Sequence, residues 1–144
     1  MKLNAALALL ALVPACAADE GRRRPIEAPT PADVALRITA ADDGQNVTVK
    51  VGTKFAVELV GVPTAGYLWT VAEAPAFLAA AGEYGGPTSI AQLEEGFAGG
   101  SHWEAFVFDV TGPGEGVLRL EQRRPWEGDE PPSGVFSVYL FAEE

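Results

Sequence analysis

Cysteine and histidine are almost missing from this chain of 144 residues, with Cys16 and His102 the only ones of their kinds. One thiol closes no internal disulfide. A Cys–His nucleophilic pair and a histidine-rich metal site are excluded as well, because the lone thiol falls in an N-terminal leader. Positive charge is scarce: 10 Lys and Arg stand against 20 Asp and Glu, for a net charge of −10. That balance opposes nucleic-acid binding, which needs clustered cations against phosphates. It favours solubility and attraction to a basic partner. No glycine-rich loop leads into a lysine-bearing helix, so a phosphate cradle is missing. Glu94 and Glu95 are the obvious carboxylate pair, but they are adjacent in a loop, which does not suit glycosidic acid–base work. An enzyme is not expected, nor is a cofactor or a metal.

Long hydrophobic runs are also lacking, except for residues 3–13, broken only by Asn4. That run is too short for a finished membrane span and fits a secretory signal peptide over residues 1–17, with Ala15-Cys16-Ala17 as small residues before the cut. A second reading takes Val13-Pro14-Ala15-Cys16 as a lipobox, which makes Cys16 a lipidated first residue and gives the membrane its only contact. Either way the protein is expected to be exported, to the periplasm or beyond. Residues 18–33 carry Arg22-Arg23-Arg24, Pro25, Pro29 and Pro31 and read as a flexible tether. The remainder, 34–144, has the length and composition of one domain able to bury its own core. A monomer is expected.

That remainder shows a period of two. Val34, Leu36 and Ile38 alternate with other residues, as do Val47, Val49 and Val51, then Phe55, Val57 and Leu59. Trp103 to Val110, Val117 to Gln122 and Val135 to Phe141 repeat the pattern, with glycine, proline and aspartate turns between them. The stretch 73–82 is alanine-rich and reads equally as a helical turn or a weak edge strand, and Gly85-Gly86-Pro87 reads as a break. Many short strands without a convincing long helix predict an all-β, antiparallel, immunoglobulin-like sandwich.

Three connections carry unusual residues. Gly61-Val62-Pro63-Thr64-Ala65-Gly66-Tyr67 combines a fixed proline torsion with permissive glycines, which leaves Thr64 at a rigid tip. Tyr67 and Trp69, two apart, share a face of the following strand and moor the loop. The second is Gly96-Phe97-Ala98-Gly99-Gly100, and the third runs from Arg123-Arg124-Pro125-Trp126 to Pro132. Alternating connections bring loops 61–67, 96–101 and 123–133 to one end. Taken singly, Trp126 reads equally as a core or lid residue, Arg124 as a solvated charge and Gly99-Gly100 as a plain turn.

Together the three loops resemble those of the chagasin family of cysteine peptidase inhibitors, which carry an Asn-Pro-Thr-Thr-Gly-aromatic loop, a Gly-x-Gly-Gly-like loop and an Arg-Pro-Trp loop, in that order. Here Val62 replaces the asparagine and Ala65 the second threonine. The first change removes a side chain able to tie the loop to its own backbone, and the second a hydroxyl near the tip. The resemblance implies a reversible inhibitor that wedges three loops into the cleft of a papain-like peptidase. Pro63, Thr64, Ala65, Gly66 and Tyr67 would fill the cleft, with Thr64 near the catalytic cysteine. Gly99 and Gly100 would allow close backbone approach, and Arg124, Pro125 and Trp126 would anchor the third loop. The alternative is a structural or adhesive sandwich module of the cell envelope without catalytic activity.

Overall fold

The computed structural model describes Gly21 and residues 23–144, so the leader and Cys16 lie outside the described residues. The described residues form eight strands, most of them with alternating apolar side chains: β1 (Leu36–Thr39), β2 (Asn46–Lys50), β3 (Lys54–Gly61), β4 (Leu68–Glu73), β5 (Leu78–Pro87), β6 (His102–Val110), β7 (Gly114–Arg123) and β8 (Gly134–Glu143). They form two four-stranded sheets, ordered β1-β3-β6-β5 and β2-β8-β7-β4. The first four strands alternate between the sheets, and β5–β6 and β7–β8 then form antiparallel pairs, one in each sheet. The chain crosses to the other sheet after β1 and after β2, and each pairs in parallel with a later strand, β1 with β3 and β2 with β8. The expected sandwich is therefore present, mostly but not wholly antiparallel.

The core fills the space between the sheets. Ile38, Phe55, Val57, Leu59, Phe106, Phe108 and Val110 of the first sheet meet Val49, Leu118, Leu120, Phe136, Val138 and Leu140 of the second. Phe55 and Phe108, opposite each other in register, stack with ring centres 5.4 Å apart. On β8 the period-two rule is clean: Phe136, Val138, Leu140 and Ala142 are buried, and the residues between them are not.

Of the two readings of the alanine-rich stretch, the edge strand is the one present: from Leu78 it is β5, at the edge of the first sheet and paired with β6. Two other expectations need correction. Gly85-Gly86-Pro87 does not break the chain, since β5 runs through to Pro87, where an edge position and a strand end tolerate the missing N–H. The second is the expected tether, which is not free over residues 24–33. Ala28 is buried, the Ile26 N–H donates to the Thr88 carbonyl at 2.8 Å, and the Trp103 indole N–H donates to the Ile26 carbonyl at 2.7 Å. Thr30 Oγ1 donates to Glu58, and Lys54 pairs with Asp33 at 2.7 Å. This strap covers the outer face of the first sheet. It explains why β3 is not half-buried as its alternation suggests: Ala56 and Glu58, which point outward, are buried along with Phe55, Val57 and Leu59. Arg37 lies 3.5 Å from the Glu58 carboxylate and helps to compensate its charge.

Candidate functional site

Strand register decides which loops meet. Gly61 and Pro87 both pair with His102, so the β3–β4 and β5–β6 connections leave the first sheet at one end. Leu68 pairs with Arg123 and Gln122 with Gly134, which places the start of β4 and the β7–β8 connection at the corresponding end of the second sheet. The β3–β4 loop crosses from one sheet to the other, flanked by a loop from each.

The central loop is closed by its own backbone. Val62 and Tyr67 exchange hydrogen bonds of 3.1 and 3.2 Å, Ala65 N donates to the Val62 carbonyl at 3.0 Å, and Gly66 N to that of Pro63 at 2.9 Å. Pro63–Ala65 forms a single 3-10 turn with Thr64 and Ala65 exposed at its tip. With valine at position 62, the bonds that close the loop there are main-chain ones. Gly66 adopts φ +82°, a left-handed conformation that strains a residue with a Cβ. A Cβ there would also fall inside the Trp126 indole, so the ring lies directly on the glycine.

The third loop is locked onto the first. Arg124 Nε donates to the Ala65 carbonyl at 3.0 Å, and its guanidinium lies 4.3 Å from the centre of the Tyr67 ring and 5.9 Å from that of Trp126. Its Nη1 pairs with Glu127 at 3.3 Å. Arg124 therefore braces two loops, a role its sequence position did not disclose. Trp126 is 69% exposed, which sets aside its reading as a core residue. Pro125 beside it is exposed too. Tyr67 lines a cleft with Arg123, Arg124 and Glu127, whereas Trp69 packs against the core and anchors its indole N–H on the Val60 carbonyl at 2.9 Å.

The second loop spans 88–101 and is longer than the glycine stretch that marks it. Gln92, in the 3-10 turn Ile90–Leu93, is its internal pin. Its Oε1 accepts from Thr88 N at 2.6 Å and Ser89 N at 3.1 Å, while Nε2 donates to the Ser101 carbonyl at 2.7 Å. Gly99 and Gly100 have φ of +82° and +98°, and a Cβ on Gly100 would lie 2.6 Å from Gln92 Nε2. Leu93 and Phe97 project from this loop, 65% and 47% exposed. Sequence reasoning passed over Gln92, though a serine followed three residues later by glutamine is a readable capping pattern.

Beneath the central loop lies a second overlooked group, Glu104. It occupies an inward position of β6, in line with Phe106, Phe108 and Val110, and its carboxylate accepts from Trp69 N of the opposite sheet at 3.2 Å. A Cβ on Gly61 would collide with this carboxylate, so the glycine at the foot of the loop makes room for it. Burial raises the Glu104 pKa above the usual glutamate value, the charge of Glu83 adds to that, and the Trp69 N–H opposes it.

Comparison with known proteins bears on what such an end is for. Residues 48–140 match the model of the chagasin family, peptidase inhibitor I42. Chagasin of Trypanosoma cruzi is 30% identical over 112 residues, covering 74% of this chain and 96% of that protein. The chain belongs to the chagasin family. It is an inhibitor of papain-like cysteine peptidases and not an enzyme. Solved structures agree on the fold. The cysteine protease inhibitor EhICP2 of Entamoeba histolytica superposes with a TM-score of 0.63 at 15% identity, over 76% of this chain and 98% of its own. Amebosin does so with a TM-score of 0.53 at 22% identity, over 75% and 97%.

Proposed function

We propose that this inhibitor blocks its peptidase by inserting the three loops together, the 61–67 tip into the active-site cleft and the other two against its walls. The observation that carries the reading is the interlock: Arg124 holds the Ala65 carbonyl and Trp126 covers Gly66, so the central and third loops present one surface. Thr64, small and exposed at the tip, comes nearest the catalytic cysteine, and Pro63, Ala65, Gly66 and Tyr67 fill the space a substrate needs. Gly99 and Gly100 let the second loop's backbone approach the enzyme closely. Trp126 is an apolar anchor of the kind that dominates binding energy, and Pro125 limits the motion of its loop. Loops held in shape beforehand lose little entropy on docking. No bond is made or broken.

Residual papain activity on a fluorogenic peptide, measured against rising inhibitor concentration, tests this. Reversible competitive inhibition is expected, weakened at least tenfold by Thr64→Arg, which places a long cation at the tip. Non-competitive inhibition, or equal potency of the variant, would contradict the wedge. Export belongs to the same proposal: the leader is removed, or Cys16 is lipidated, and the intact mass of the mature protein distinguishes the two.

A further inference from the structure

We propose that the strap formed by residues 24–30 is a positioning element of the inhibitory surface, holding both limbs of the 88–101 loop in the geometry that meets the peptidase. The inference rests on the reading that this loop contacts the enzyme. It concerns a segment that precedes the region matching the family, residues 48–140.

The tip of the second loop holds three glycines with positive φ, Gly96, Gly99 and Gly100, where no side chain stiffens the backbone. Its root is held from two sides: Gln92 pins it from within, and the strap grips it from outside. On the outgoing limb, Ile26 N donates to the Thr88 carbonyl at 2.8 Å and Ile90 N to the Arg24 carbonyl at 3.0 Å, which forms a bridge between Pro25 and Ser89. Where the returning limb enters β6, the Trp103 indole donates to the Ile26 carbonyl at 2.7 Å. Ile26 therefore connects the two limbs through one peptide unit on each side of its Cα. The strap is fixed in turn further along the chain, where Ala28 is buried, Pro29 lies against Gly86 and Thr30 donates to Glu58. A clamp that touches a loop at both limbs, and is itself anchored on the sheet, limits where the tip can go.

Two full-chain variants test it. Trp103→Phe keeps a ring and removes the indole donor; Ile26→Pro removes the N–H that reaches Thr88. Each is expected to weaken papain inhibition about tenfold, the equivalent of 1.4 kcal/mol. The effect should be less than multiplicative with Gln92→Ala, which unpins the same loop, and multiplicative with Trp126→Ala on the third loop. General loss of stability would combine alike with both and would overturn the proposal, as would unchanged inhibition by both variants. Amide exchange in the uncomplexed protein gives a readout independent of any peptidase. The N–H groups of Ile90 and Glu94 should exchange faster in the variants, with those of Ala65 and Gly66 unchanged. Unchanged exchange at Ile90 would refute the strap's role even if papain is inhibited. Faster exchange with no inhibition by the wild type would instead refute the contact of this loop with the enzyme.

Discussion

Replacing Gly66 by alanine perturbs two things that the structure allows to be separated. The backbone at φ +82° is left-handed, and an alanine held there costs about 1–2 kcal/mol of stability. The new methyl also occupies the place of the Trp126 indole, so the ring must leave its seat. If that ring is a binding anchor, its displacement costs about 2–4 kcal/mol of affinity, or roughly 30- to 700-fold in inhibition constant. The damage to inhibition should thus exceed the damage to folding. Urea unfolding gives the first quantity and titration of papain the second. In a Trp126→Ala background the same substitution should cost only the backbone part, because no ring remains to be displaced. An inhibition constant within threefold of wild type, or equal losses in the two backgrounds, would refute the claim that Gly66 acts by seating Trp126.

Two further predictions follow from the site. Arg124→Lys keeps the charge but loses the planar fork that reaches the Ala65 carbonyl and stacks near Tyr67. A loss of about 1 kcal/mol in binding, some fivefold, with little change in thermal midpoint is expected, and a larger loss of stability than of affinity would contradict a bracing role. For Glu104, the raised folded pKa means that between the ordinary glutamate value and the raised one the folded chain holds a proton that the unfolded chain releases. Stability from this group is therefore present below that window and lost as pH rises through it. Glu104→Gln can still accept from Trp69 N without a charge, so its thermal midpoint relative to wild type should rise from acid to neutral pH. An advantage that shrinks over that interval would contradict the assignment.

The strands were legible because their inward residues are large and apolar: on β3, β6 and β8 a period of two in Phe, Val and Leu is hard to mistake. β5 was not, because alanines and glycines carry too little side chain to show which way they face. The strap escaped for a different reason. Its cohesion comes from main-chain groups at Ile26 and Arg24, polar side-chain contacts such as Thr30 to Glu58 and one buried alanine, none of which alters hydrophobic periodicity. At the end proposed to bind the peptidase, the convergence of the three loops could be read from alternating connections. Their locking could not, since nothing local to Arg124 says that its partner is the carbonyl of Ala65. Glu104 left a faint trace, a charge at an inward position of a strand, and Gln92 a clearer one in its spacing from Ser89.

The central claim is that the 61–67 tip covers the catalytic cysteine of the target. Alkylation of papain's active-site thiol by iodoacetamide, followed by mass spectrometry with increasing inhibitor, tests it most directly. One equivalent of the wild-type protein is expected to protect that thiol, and the Thr64→Arg variant at the same concentration to leave it exposed. A thiol alkylated at full rate while peptide hydrolysis is blocked would place the inhibitor elsewhere on the enzyme and contradict the claim.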